Sequence, residues 1–108
     1  MGKQRREKLL RRRVRDIVLA VAWFRREQWG RLREVARDWV ELEKTYDEWE
    51  AAALVALEGL RARGLEPQRV DVDVEELARW CQAEGRYVDG AARAEFAAIK
   101  LRQRNEMH

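Results

Sequence analysis

Four carboxylates lie within six residues and form the strongest candidate cation site in this chain. They are Asp71, Asp73, Glu75 and Glu76, and carboxylate oxygens are the hard ligands that Ca²⁺ and Mg²⁺ prefer. The spacing fails the EF-hand pattern, because Glu76 stands where that loop needs glycine and Gln82 where it needs glutamate. We prefer a structural interpretation, with the aspartates on the solvated face of a strand and the glutamates at a helix start. We expect no bound metal, and leave open whether Asp71, Asp73 and Glu76 bind a cation.

The residues of nucleophilic catalysis are nearly missing from the sequence. It contains no serine, its only histidine is the terminal His108, and its only cysteine is Cys81. Because Ser-His-Asp and Cys-His sites need a base beside the nucleophile, we expect a non-enzymatic protein with no cofactor. Cys81 is expected to be a small core residue, and a lone cysteine favours the cytoplasm. An enzyme that holds a metal through the acidic cluster or Asp89 is our third hypothesis.

Tryptophan is frequent, with five in 108 residues. Most are expected in the core, since four of them fall on predicted inner helix faces or in an apolar run. Five indoles are hard to bury completely in a small domain, and partly exposed tryptophan near arginine is typical of interface hot spots. We predict that Trp23 and Trp29 contribute to a partner surface.

Charge is distributed unevenly along the chain. The first 15 residues hold eight basic residues and one acid, whereas the remaining 93 hold 15 basic and 19 acidic residues. We interpret this basic N-terminal arm as a solvated, flexible tail, with a translation start further along the chain as another interpretation. The functional alternative is nucleic-acid binding, because clustered arginines neutralise phosphates. In that alternative the contacts come from Arg5, Arg6, Lys8, Arg11, Arg12, Arg13 and Arg15.

Apolar spacing and capping residues predict two helices in the first half of the body. Apolar side chains recur every three or four positions over residues 27–40, which predicts the first helix. Thr45 and Glu48 match the capping box, and Gly64 supplies the left-handed residue that ends a helix. These signals predict the second helix over residues 46–63.

The second half contains signals for two more helices. Asp73 is a predicted N-cap for a helix that continues to Gly85, and Asp89 is a predicted N-cap for a last helix over residues 91–102. The last helix is rich in alanine, which predicts a flat face for close packing. That face comprises Ala94, Ala97, Ala98 and Leu101, and Phe96 and Ile99 widen it.

One segment has the alternation of a strand. Residues 69–74 alternate valine with charged side chains, which predicts a half-buried strand. A lone strand leaves backbone groups unpaired on both sides, so we expect it to pair with residues 17–24 or with the same strand of a second copy. If residues 17–24 are helical, a helix over residues 7–24 results and pairing between chains is favoured.

These elements predict an α+β fold, mainly α, with three or four amphipathic helices around one short strand. The predicted divisions are a basic arm over residues 1–16, one helix-rich domain over 17–103 and a tail over 104–108. The longest apolar run has eight residues, far fewer than a membrane-spanning helix needs. The expected core comprises Trp39, Trp49, Leu57, Leu60, Val72, Leu77 and Trp80.

The stretches at residues 22–29, 42–49, 70–74 and 89–96 resemble a group of short uncharacterised bacterial proteins. The resemblance extends from Val21 to Arg102 and implies no function. We predict a non-enzymatic protein-interaction domain that docks a protein partner or a second copy of itself. The alternative is a nucleic-acid-binding protein that uses the arm, and salt-dependent binding to duplex DNA separates the two hypotheses.

Overall fold

The computed structural model describes residues 18–106, which form four helices and a two-stranded sheet. The elements in chain order are β1 (Val18–Trp23), α1 (Trp29–Val35), α2 (Tyr46–Ala62), β2 (Glu66–Asp71), α3 (Val74–Ala83) and α4 (Gly90–Glu106). Single 3₁₀ turns occupy Arg26–Gln28 and Trp39–Glu41. The fold is therefore mainly helical within the α+β class, as predicted.

The two strands run parallel, in a register that pairs Val18 with Glu66 and Trp23 with Asp71. Residues 18–23 are a strand, so the alternative of a helix through this segment is wrong. The second strand also starts and ends three residues earlier than the predicted range of 69–74. It ends there because Asp73 caps α3, which converts the valine alternation into the first turn of a helix.

The first predicted helix, over residues 27–40, is interrupted. Helix α1 ends at Val35, and Ala36 has an extended backbone with φ −73° and ψ 128°. Ala36 forms a parallel bridge with Val88, and the Arg37 N–H donates to the Val88 carbonyl oxygen over 2.8 Å. These long-range backbone bonds replace the helical bonds that would continue α1, and they turn the chain into a new direction.

The predicted caps of the other three helices are confirmed. The Thr45 hydroxyl accepts a hydrogen bond from the Glu48 N–H over 3.2 Å, and Asp73 and Asp89 each accept from the N–H three residues ahead over 2.9 Å. Gly64 has the positive φ that the predicted end of α2 requires. Helix α4 continues to Glu106, beyond its predicted end at residue 102.

The main core lies between the sheet and helices α1, α3 and α4. Leu32, Val72, Leu77 and Phe96 are among its buried members. Of the predicted core, Leu57, Val72 and Leu77 are buried, whereas Trp49, Leu60 and Trp80 are partly buried. The prediction for Trp39 is wrong, because its side chain is exposed. The predicted face of α4 is confirmed in part, because Phe96, Ala97 and Leu101 are buried, whereas Ala94 is exposed and Ala92 is buried in its place.

The Thr45 cap carries a direct stability prediction. We expect Thr45→Ala to lower the free energy of unfolding by about 1 kcal/mol, because the Glu48 N–H loses its acceptor at the helix end. Thr45→Ser keeps the hydroxyl and is the matched control. Urea titration followed by circular dichroism measures both variants, and equal stability of Thr45→Ala and the wild type would contradict the cap.

Candidate protein-interaction surface

Three of the five tryptophans lie together in one aromatic cluster. The ring centroids of Trp29 and Trp49 are 5.2 Å apart, and those of Trp23 and Trp49 are 5.0 Å apart. Phe24 and Tyr46 complete the cluster against the Trp49 ring. Because these rings converge from β1, α1 and α2, the cluster fixes the position of α2 relative to the sheet.

The cluster corrects our prediction that Trp23 and Trp29 lie on a partner surface. Both side chains are buried. The Trp29 indole Nε1–H donates to the Glu43 backbone oxygen over 3.1 Å, so its polar group is also satisfied inside the fold. A fourth tryptophan, Trp80, is partly buried and lies 5.3 Å from the Phe96 ring. Trp39 is the one tryptophan whose side chain is mostly exposed to solvent.

Trp39 lies in an exposed turn beside other exposed side chains. Its side chain is 52% exposed, and its neighbour Val40 is exposed more fully. Two residues before it, the Arg37 guanidinium lies 3.9 Å from the centre of the exposed Tyr87 ring, which is a cation–π contact. We call these four residues, Arg37, Trp39, Val40 and Tyr87, the Trp39 surface.

The backbone that carries the Trp39 surface is anchored at both ends. Before the turn, Ala36 is buried in the core and bridged to Val88. After it, the Leu42 N–H donates to the Trp39 oxygen over 3.2 Å, and the Leu42 side chain packs against the core. Trp39 is therefore exposed on a turn whose backbone is fixed at both ends. A fixed backbone lowers the entropy cost of binding a partner.

An ion pair fastens the same turn to α4. Both Nη atoms of Arg93 donate to the two Asp38 carboxylate oxygens, over 2.8 Å and 2.6 Å. The side chains are only 12% and 20% exposed, respectively, so water screens this pair weakly. The hydrogen bonds from Arg93 hold the pKa of Asp38 below its usual value, against the opposing effect of burial. Asp38 is thus a charged anchor immediately before the exposed indole.

The acidic cluster at residues 71–76 is divided among capping and ion pairing. Asp73 caps α3 and also accepts a hydrogen bond from the Arg25 guanidinium over 2.6 Å. The hydrogen bond from the Glu76 N–H is the main reason that the pKa of Asp73 is lowered. Glu75 accepts from Arg31 Nε over 2.6 Å, and Glu76 pairs with Lys100. These carboxylates therefore join different elements of the fold.

The cation-site and reactive-thiol candidates gain no support from this arrangement. Within residues 18–106, no group of three or more His, Cys, Asp or Glu side chains could hold a metal ion. Asp89 serves as the cap of α4. Cys81 is buried, as predicted, and burial raises the pKa of its thiol. A raised thiol pKa disfavours the reactive thiolate.

The candidate nucleic-acid residues of the arm, from Arg5 to Arg15, lie outside the described residues. Sequence reasoning also missed Arg37, Val40 and Tyr87 and placed Trp39 in the core. The pattern offered no signal for this surface, because no glycine or proline marks the break after Val35. The exposure of Trp39 follows from the bridge to Val88, which joins residues far apart in the chain.

Comparisons with known proteins add no function. No family model, curated protein or solved structure matches this chain. Within the described part of the chain, no helix combines the length and apolar character needed to cross a membrane.

Proposed function

We propose that this protein is a small, non-enzymatic interaction domain that docks a protein partner through the Trp39 surface and also associates with itself. The observation that carries the docking surface is the exposure of Trp39 on a turn held by the Asp38–Arg93 pair. An indole in solvent gains much of its burial energy only when a partner covers it.

The composition of the surface supports a protein partner. Tryptophan, tyrosine and arginine are the residues most enriched among interface hot spots. Trp39, Tyr87 and Arg37 supply one of each, with Val40 as an additional apolar contact. The Arg37 guanidinium stacks on Tyr87 and forms no ion pair within residues 18–106. No carboxylate of the described residues therefore competes with a carboxylate of the partner for Arg37.

We expect Trp39→Ala to weaken docking strongly while the fold stays intact. Removal of a hot-spot tryptophan typically costs about 2 kcal/mol or more in binding, which is roughly a 30-fold loss of affinity. The test compares proteins captured by wild-type and Trp39→Ala protein from a host extract, counted by mass spectrometry, followed by a titration with the purified partner. Circular dichroism checks the fold of the variant.

Two arginine variants provide the matched control. Arg37→Ala should weaken capture of the same protein, whereas Arg79→Ala, at an exposed arginine on α3, should leave capture unchanged. Equal capture by the wild type and Trp39→Ala would refute the docking surface. An equal loss with Arg37→Ala and Arg79→Ala would also refute it, since that pattern indicates charge-driven adhesion.

Nucleic-acid binding remains the alternative function, and it depends on the arm alone. Residues 18–106 hold 15 basic and 18 acidic residues, so this part of the chain repels phosphate on balance. Duplex DNA binding that weakens steeply with salt, and is lost on deletion of residues 1–13, would favour this alternative.

A further inference from the structure

One stripe of α2 faces solvent along its whole length. Glu48, Ala52, Val55 and Gly59 of α2, with the C-cap residue Arg63, recur at steps of four, three, four and four residues, which places them on one side of the helix. All five are exposed. We call them the α2 stripe. Leu57, on the opposite side of α2, is buried in the fold, so the stripe faces away from the body.

The centre of the α2 stripe is apolar and uncovered. Val55 is 73% exposed, and Ala52 and Gly59 flank it. A valine in the middle of a solvated helix face also has a lower helix propensity than the long polar residues usual there. No side chain of the described residues covers this apolar centre.

The fold of this chain does not explain the glycine at position 59. Glycine inside a helix costs roughly 0.5–1 kcal/mol relative to alanine. A Cβ at Gly59 would meet no atom within 4 Å, so the fold of this chain does not require glycine there. Gly30 has similar space, but it lies in the first turn of its helix. Because Gly59 has no side chain, a helix that packs against the α2 stripe could approach the backbone of α2 closely at this position.

The charges at the two ends of the stripe make it complementary to itself. Glu48 is acidic, Arg63 is basic, and neither forms an ion pair within residues 18–106. If two copies of α2 lie antiparallel about a two-fold axis between residues 55 and 56, Glu48 of each copy faces Arg63 of the other. The same operation sets Ala52 against Gly59, which allows close approach of the backbones.

We infer that the α2 stripe is the interface through which two copies of this chain form an antiparallel dimer. A two-fold dimer uses the same patch on both subunits, as this charge pattern requires. The N-terminal arm, with eight basic residues and one acid, fits the stripe less well, because it would place like charge against Arg63. The inference rests on the self-association in our proposed function and is independent of the Trp39 surface.

Cysteine cross-linking in the full-length protein tests the geometry. Val55→Cys should form a disulfide-linked dimer on mild oxidation, because residue 55 lies beside the axis. Ala52→Cys alone should not, since two copies of residue 52 would be about 10 Å apart along the axis, beyond the ~7 Å Cα limit of a disulfide. A mixture of Ala52→Cys and Gly59→Cys proteins should cross-link. Native Cys81 is buried and does not compete.

Each other cross-linking pattern overturns the inference. Self-linking of Ala52→Cys as readily as Val55→Cys would indicate a parallel pair or random collision. Linking of Val55→Cys no faster than Val40→Cys, at a valine of similar exposure, would indicate no interface. Linking only after deletion of residues 1–13 would mean that the arm covers the stripe.

Sedimentation measurements separate this interface from the docking surface. A single helix pair buries less than the ~800 Å² per partner of a standard interface. We therefore expect a weak dimer that forms at protein concentrations of about 10 µM to 1 mM. Val55→Asp should remain monomeric yet capture the docking partner. Val40→Asp should dimerise like the wild type yet lose the partner. A wild type that stays monomeric over this range would overturn the dimer and leave the docking proposal standing.

Discussion

Replacing Leu77 by alanine is expected to lower the free energy of unfolding by about 2–5 kcal/mol. Leu77 is completely buried in α3, within the core that also contains Leu32 and Phe96. The loss combines the transfer energy of the deleted methyl groups with the cavity that remains, because neighbours in a dense core relax only partly. A small domain has about 5–15 kcal/mol of total stability, so this variant should be close to unfolding.

The matched control is Leu60→Ala. Leu60 also lies on a helix and has the same side chain, but it is only partly buried near the end of α2. Because the Leu60 side chain is partly exposed in the folded protein, its burial contributes less to stability. We therefore expect Leu60→Ala to lower the free energy of unfolding less than Leu77→Ala does. Urea titration with shared m-values measures both variants. A Leu77→Ala loss below half a kilocalorie, or one no larger than that of Leu60→Ala, would contradict the core described above.

Removal of the Asp38 carboxylate is the second change with a large expected effect. We expect Asp38→Ala to lower the free energy of unfolding by about 2–3 kcal/mol, because Arg93 keeps a mostly buried charge without its partner. This value lies below the loss for a fully buried pair, since Asp38 keeps 20% exposure. The double variant Asp38→Ala/Arg93→Ala should be less unstable than the two single losses added together. Simple additivity would show that the pair contributes no coupling.

The same ion pair gives stability a dependence on acid. Arg93 lowers the pKa of folded Asp38, so the unfolded chain binds a proton more readily. The stabilisation from Asp38 is therefore complete above an unfolded pKa of about 3.9 and is lost as pH falls through the lower folded pKa. The stability difference between the wild type and Asp38→Ala should shrink below pH 4. A difference that stays constant down to pH 2 would contradict this sign.

The Asp38–Arg93 pair connects stability to the proposed function. Arg93 is on α4, whereas Trp39 follows Asp38 directly, so the pair joins the turn that carries Trp39 to the main core. Loss of the pair removes one of the contacts that hold the turn and raises the ordering cost of binding. Asp38→Asn should therefore weaken partner binding even though residue 38 itself need not touch the partner, and Trp39→Ala should weaken binding with little effect on stability.

Local features of the sequence were sufficient to place much of the secondary structure. Thr45, Asp73 and Asp89 cap three helices as predicted, because a cap needs only a side-chain acceptor and an N–H three residues ahead. Gly64 ends α2 for an equally local reason, since its positive φ carries no Cβ penalty. The burial of Leu77 and Cys81 also follows from the periodicity of one helix.

The location of the candidate surface depended instead on contacts between distant residues. The helical period through Trp29 and Leu32 predicts Trp39 on the same inner face, and it fails because Val88 pairs with the backbone after Val35. That pairing turns Trp39 outward, while the aromatic cluster draws Trp23 and Trp29 inward. The interior of this small domain does not enclose all five indole rings, and the spacing of residues along the chain does not show which of them is left exposed. The exposed tryptophan is therefore selected by tertiary packing.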